Sequence, residues 1–420
     1  MTAIEASEER WNFVERPDWA WAVTSRDLAA AAVHRWFYFP HSFAPALVTD
    51  LLADAATPKG ALLLDPFVGA GTAMVAAEAH SMAAIGCDIS PLAVYATRVK
   101  CSRIEADELR EAARRVERNA SRRTVARLYV FDALVHRAFP EPTLSALEKL
   151  RASINGADID TSLREALMLA LLAVLPRFSR LVRKGGWLSE VPAAAGPEDV
   201  HAIWRSMVES IAEDASKRKW SGMALPRVVL ADTRRLPWQS NQVDAVITSP
   251  PYPNRHDYTR VFGVELAFGF LDGEAIKALR YQSMHSHPEA KPSRPAAKGY
   301  EEPSLLTAAI DTITPQLTDA RTRGAVPALL HGYFRDLYHA LVEVRRVLKP
   351  GGWAALVVGN ARYTGTAIPT DTLTAEIAEQ AGLRCSAITV ARRRGNSAQQ
   401  MARHGREAQR ESVVQLTKPW

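Results

Sequence analysis

Four short strings carry side chains that could do chemistry together. The first is Asp65-Pro66-Phe67-Val68-Gly69-Ala70-Gly71-Thr72, which follows the apolar run 61–65. A strand that hands over to a helix through glycines lets backbone approach a ligand closely. The free N–H groups of the helix that follows suit a carboxylate or a phosphate. The second is Asp88, at the end of the next apolar run (AAIGCD). A carboxylate there can accept both hydroxyls of a ribose. The third is Asp232, after RVVLA, placed either to meet an adenine amino group at a sheet edge or simply to cap a turn.

The fourth string is Thr248-Ser249-Pro250-Pro251-Tyr252. An amino group on a base is a poor nucleophile, because its lone pair is delocalised into the ring. Acceptors that draw on its hydrogens make the nitrogen more pyramidal. Ser249 and the carbonyl of Pro250 are such acceptors, and Pro250 and Pro251 stiffen the turn that aims them. Tyr252 is an aromatic face on which a base can stack. An ordinary Pro-Pro turn is the alternative.

These strings need elements to hold them. Residues 61–65, 83–88, 227–231, 243–248 and 353–358 read as buried strands. Helices are expected over 73–80, over 90–99 with Ser90 as N-cap and Pro91 in the first turn, over 331–348 and over 371–381. Gly351-Gly352 reads as a turn. Residues 34–54 read as an aromatic loop running into a helix, and two final strands are expected near 384–391 and 411–417. Strand, glycine turn, helix, strand, helix opens a doubly wound α/β fold. Residues 103–225 read as a helical insertion with breaks near 154–160 and 192–196. Residues 281–303, rich in Pro, Ser, His and Lys, read as an exposed, mobile loop. The expected organisation is a cofactor half over 1–102, the insertion over 103–225, and a catalytic half over 226–420.

With these residues in order, the chain resembles the amino-methyltransferase family of DNA methylases, of the kind found in restriction–modification systems. DPFVGAGT resembles its cofactor motif, GCDISP its second motif and TSPPY its catalytic motif. PNRHDYTRVFGVEL resembles the segment that follows SPPY, and residues 34–50 the segment that precedes the cofactor motif and closes over the methionine end. HGYFRDLYHALVEVRRVLKPGGWAALVVGN and RRRGNSAQQMARHGREAQRESVVQLTK resemble later parts of the same fold. The matching strings cover about half of the chain. Many SPPY enzymes are circularly permuted; here the cofactor motif comes first.

The resemblance implies a Rossmann-like, S-adenosylmethionine-dependent methyltransferase fold with a largely helical insertion. It implies S-adenosylmethionine held by Phe43, Asp65, Phe67, Gly69, Gly71, Thr72, Asp88 and Asp232. Catalysis would fall to Ser249, Pro250, Pro251 and Tyr252. Ser before PPY is more typical of cytosine-N4 enzymes and Asp of adenine-N6 enzymes. DNA phosphates or base edges would meet Arg255, Arg260, Arg392, Arg393, Arg394, Asn396, Gln399, Gln400, Arg403 and Arg406. The Arg-rich stretch 110–127 reads rather as a solvated helix face. A cognate restriction endonuclease is the partner the resemblance suggests.

Composition bounds the rest. The chain has 420 residues, 47% of them hydrophobic, and a net charge of +6, which permits a polyanionic partner without requiring one. Cys87, Cys101 and Cys385 are too few and too dispersed for disulfides or a CxxC metal site. Carbon-5 methylation of cytosine needs a nucleophilic Cys, typically after Pro; Gly86, Lys100 and Arg384 precede these three. No metal is expected from the spacing of the eleven His, and His285 with His287 reads as loop. The first ten residues are polar, and the longest apolar run, 166–175, is too short to span a bilayer. A cytoplasmic protein without membrane attachment is therefore expected. Adenine-N6 methylation, RNA base methylation and a catalytically silent nucleic-acid-binding protein are the competing readings.

Overall fold

The structure is a computed structural model that describes residues 9–124, 129–184, 187–291, 298–395 and 409–420. Its strands in chain order are β1 (Phe13–Glu15), β2 (Leu62–Asp65), β3 (Ala83–Asp88), β4 (Leu181–Lys184), β5 (Trp187–Glu190), β6 (Arg227–Leu230), β7 (Val243–Thr248), β8 (Leu348–Gly359), β9 (Ala361–Tyr363), β10 (Thr366–Ile368), β11 (Arg384–Arg394) and β12 (Gln409–Thr417). Eight of them form one sheet in the order β1-β11-β12-β8-β7-β2-β3-β6. Neighbours are parallel except β12, which runs antiparallel to both β8 and β11. The chain order reverses at β2, which has β3 on one side and β7 on the other. That is the switch point where ligands of doubly wound sheets bind, at the carboxyl ends of the strands.

Side chains alternate across the sheet and divide the core in two. Leu63, Ala245, Ile247, Ala355 and Val357 face one cluster; Leu64, Val246, Ala354, Leu356 and Val358 face the other. The first is covered by the helices Pro45–Asp54, Thr72–Ala79 and Pro91–Lys100, the second by Ser304–Ile313, Ala320–Val347 and Thr370–Gln380. The result is a three-layer α/β/α molecule.

The expected elements are present, with instructive differences. Gly351-Gly352 is not a turn between elements but a bulge inside β8. Val243 pairs with Leu348 and Ala245 with Trp353, so the intervening residues loop out, with Gly351 at φ +75°. The helix expected over 331–348 spans Ala320–Val347 and carries Pro327 within it. The stretch 103–225 is not helical throughout, because β4 and β5 pair there as an antiparallel hairpin. Its signal was Gly185-Gly186 between two runs with strand character. Apolar residues of this stretch, among them Leu109, Leu147, Leu167 and Trp204, join the same core cluster as Leu63. Within the loop expected to be exposed, Met284, His285, Ser286 and His287 are buried.

Candidate active site

Five strand ends converge at the switch point. Asp65 closes β2, Asp88 closes β3, Thr248 closes β7 and Gly359 closes β8, while Asp232 follows β6. The glycine turn leaves β2 and starts the helix Thr72–Ala79. Gly71 takes the left-handed conformation, φ +81°, and a Cβ there would stand 2.7 Å from Thr97. Only glycine permits both. Beneath the turn, Thr97 Oγ1 donates to Gly69 O at 3.1 Å, and Lys100 Nζ donates to Ala70 O at 3.1 Å.

Asp88 accepts from Gly69 N at 3.1 Å and from Ser90 N at 2.9 Å. Burial raises its pKa, which those backbone N–H groups partly offset. Asp65 is buried and accepts Thr248 Oγ1 at 2.7 Å and Phe67 N at 3.1 Å. Burial pushes its pKa up to about 7 against those two hydrogen bonds, with the Asp88 charge adding to the rise. The Thr248 contact joins the glycine string directly to the Pro-Pro string, 183 residues apart. Asp232 caps the short turn Thr233–Arg235 through Arg234 N at 2.9 Å and pairs with the Arg234 guanidinium at 2.9 Å. Arg234 in turn meets buried Asp336 at 2.8 Å, and Asp336 takes His285 Nδ1 at 2.7 Å. His285 is thus part of a buried charge network rather than a loose loop.

Phe43 is buried, and its neighbour Ser42 meets Thr72 by a hydroxyl pair at 2.9 Å. Phe67 is half-buried against the second core cluster. A cleft of about 1810 Å³ opens beside these residues, with Phe43, Ser249 and Tyr252 in its wall. Ser249 Oγ donates to Val357 O at 3.1 Å. Pro250 is buried and Pro251 half-buried in the turn. Burial and the nearby Glu411 carboxylate raise the pKa of the Tyr252 hydroxyl.

The basic residues divide. Arg255, at φ +69°, lines the cleft and lies over the Tyr363 ring at 5.0 Å. Arg392 and Arg394 line it too, both paired with Glu411, at 2.6 and 3.7 Å. Arg393 does not join them: strand alternation sends it the other way, to Glu15 at 2.6 Å. Arg260 is held by Asp257 and Glu289 and does not line the cleft. Asn396, Gln399, Gln400, Arg403 and Arg406 lie outside the described residues. Of the stretch 110–127, Arg110 is committed to Asp107 and Glu209.

Several site residues escaped the sequence reading. His41 and His256 meet edge-on at 4.5 Å in the cleft, with Tyr258 beside them. Burial, then His256 and two arginines, holds His41 down to about 4, so it is neutral at pH 7. No spacing rule marks such a group. Lys100 had a signal: it is a cation on the apolar face shared by Ala93 and Ala96.

Parallel strands with one antiparallel insert, a glycine turn at the switch point and acidic residues on the neighbouring strand ends are the arrangement of the S-adenosylmethionine-dependent methyltransferase fold. The comparisons agree. The family described as DNA methylase matches residues 6–98. The chain is 26% identical to the Type II methyltransferase M.BsoBI of Geobacillus stearothermophilus, over 92% of this chain and 86% of that one. It is 26% identical over the same shares to the Type II methyltransferase M.AvaI of Nostoc sp., and 22% identical to M.MvaI of Kocuria varians over 82% and 80%. The chain is thus similar to the N6/N4 family of DNA methylases, and S-adenosylmethionine is the cofactor which that similarity implies. The residues present fit it: a Cβ at Gly69 would meet nothing nearer than Phe67 O at 3.9 Å, so that part of the turn is open to a ligand, and Asp88 is a desolvated carboxylate beside it.

Proposed function

We propose that the chain is a site-specific DNA methyltransferase that methylates the N4 amino group of cytosine. The observation that carries this reading is Ser249. The residue that heads the Pro-Pro-Tyr turn is an uncharged hydroxyl, on the wall of a cleft it shares with Tyr252 and two arginines of β11. S-adenosylmethionine supplies, when bound, a sulfonium methyl group whose carbon an amine can attack in line, with the thioether as leaving group. The protein's task is to place that amine and exclude water.

Asp88 would hold the ribose hydroxyls, and Gly69, Gly71 and Thr72 would receive the polar end over the start of the helix Thr72–Ala79. Phe43 and Phe67 would supply apolar contact, Asp65 would keep the turn in place, and Asp232, fixed by Arg234, would take the adenine amino group. Ser249 and the Pro250 carbonyl accept the amino hydrogens of the target base, Pro251 stiffens the turn and Tyr252 stacks on the ring. In duplex DNA the base must first leave the helix, at a cost of a few kcal/mol. Arg255, Arg392 and Arg394, which line the cleft, would hold phosphates.

The insertion 103–225 serves target recognition in this reading. Its hairpin meets the helix Tyr258–Val261, whose Tyr258 lines the cleft, and there Arg183 Nε donates to Val261 O at 2.9 Å. A cognate restriction endonuclease as partner and a cytoplasmic location belong to the same reading. No helix among the described residues is long and apolar enough to cross a membrane.

Nucleoside mass spectrometry tests the base. DNA from a methylase-free host expressing the wild type should contain N4-methylcytosine, and DNA from a host expressing Tyr252→Ala should not. N6-methyladenine in its place would overturn the use of Ser249 as a base indicator.

A further inference from the structure

Lys100 ends the helix Pro91–Lys100 and is fully buried, 0% exposed. Its Nζ donates to Phe37 O at 2.7 Å and to Ala70 O at 3.1 Å. Phe37 belongs to the segment that precedes the glycine turn, and Ala70 sits between the turn's two glycines. Both acceptors are neutral carbonyls. A buried ammonium without a carboxylate partner is costly. An apolar residue at this position would pack beside Ala93 and Ala96 at no such cost. The local pattern is broken at a point where two cofactor-binding segments meet, which is where functional exceptions are found.

We propose that Lys100 is a positioning residue for the cofactor, tying the carbonyl of Phe37 to that of Ala70 and so holding the segment 34–44 closed over the glycine turn. This rests on reading that segment and residues 66–72 as walls of the cofactor pocket. The tie is strongest when the amine is charged. Burial brings the Lys100 pKa down to about 7, opposed only by Cys101, so the tie weakens as pH rises through neutrality. The groups around it are His34, Cys101, Arg218, Glu78 and Asp214. Burial, Lys100 and Arg218 hold His34 down to about 3, and burial pushes Cys101 up to about 12, so neither changes state between pH 6 and 9. Arg218 donates to the Lys100 carbonyl and pairs with Glu78 at 3.6 Å. Asp214 takes Val33 N and Trp36 Nε1, both at 2.9 Å, along with Arg35.

The test is calorimetry of S-adenosylmethionine binding to wild type, Lys100→Met and Asp88→Ala from pH 6 to pH 9. Lys100→Met should bind about tenfold more weakly than wild type at pH 6, the worth of one charged hydrogen bond. The ratio should shrink several-fold by pH 9; a ratio near one at pH 6, or one that does not change with pH, overturns the proposal. If Asp88→Ala binds as wild type does, the pocket reading fails and takes this inference with it. If Asp88→Ala weakens binding and Lys100→Met does not, the lysine proposal alone fails. Should Lys100→Met not fold, the ligand-free wild type serves. Amide exchange in 34–44 and 66–73, corrected for its intrinsic rate, should lose protection as pH crosses 7, and constant protection overturns the idea.

Discussion

The Tyr252 ring fills the space in front of Gly359: a Cβ on that glycine would stand 2.9 Å from Tyr252 Cε2 and 3.2 Å from Cδ2. The last residue of β8 thereby sets where the aromatic face of the Pro-Pro-Tyr turn can lie. Gly359→Ala must displace the ring, and turnover should fall about tenfold or more, the cost typical of a misplaced reacting partner. Tyr252→Ala should lose more. Both variants should bind S-adenosylmethionine as wild type does, because neither residue touches the glycine turn. Steady-state kinetics with calorimetry decides this, and full turnover by Gly359→Ala would separate the ring's position from catalysis.

Asp65 yields a pH signature. Its carboxyl titrates near 7 in the folded protein and at 3.8 as an ordinary carboxyl. Between those values the folded state keeps a proton the unfolded state has shed, so this group's contribution to stability is full below 3.8 and lost as pH rises through 7. Asp65→Asn removes the penalty while leaving an acceptor for Thr248. Its melting temperature should climb relative to wild type from pH 4 to 7 and hold level above. The full span is at most on the order of 4 kcal/mol. Thermal melts across pH 4–8 read it, and parallel curves for the two proteins would refute the buried-acid assignment.

The alternation on β11 separates neighbouring arginines. Arg394→Ala should weaken binding to any duplex and reduce the slope of log affinity against log salt by about one, the signature of a lost phosphate contact. Arg393→Ala, whose guanidinium meets Glu15, should change neither. Fluorescence anisotropy at several salt concentrations would show it, and equal effects of the two would mean that the DNA path crosses both faces.

Arg234 is almost wholly buried between two carboxylates. Asp336→Ala removes the carboxylate that Arg234 Nη1 and His285 Nδ1 share. Breaking such a buried pair costs about 3–5 kcal/mol. Urea unfolding should show that loss, and a change under about 1 kcal/mol would place Asp336 among dispensable surface pairs.

The fold was legible wherever period and punctuation agreed. β3 and β7 occupy the residues their apolar runs mark, and the helix that Ser90 and Pro91 announce begins at Pro91. Elements with mixed signals were misjudged. Gly351-Gly352 reads the same whether it ends a strand or bulges out of one, because sheet pairing decides. His285 looks like loop until a helix 51 residues away brings Asp336 to it. The glycine and Pro-Pro strings announce themselves because their chemistry is local in the chain. Ser42, His41 and Lys100 do not, since what they do depends on which segment the fold sets opposite them.

β12 stands between β8 and β11, so the last described strand in chain order joins β1 and β11 to the other five strands of the sheet. Among the described residues, until 409–417 dock, β1 and β11 have no strand pairing with the remaining strands, and β8 presents a bare edge to other chains. Asn360, in the cleft wall, receives its backbone bond to Arg410 only then. Assembly of the cleft is thereby coupled to the docking of residues 409–417: a chain clipped before them keeps the glycine and Pro-Pro strings and loses the partner strand of the cleft wall.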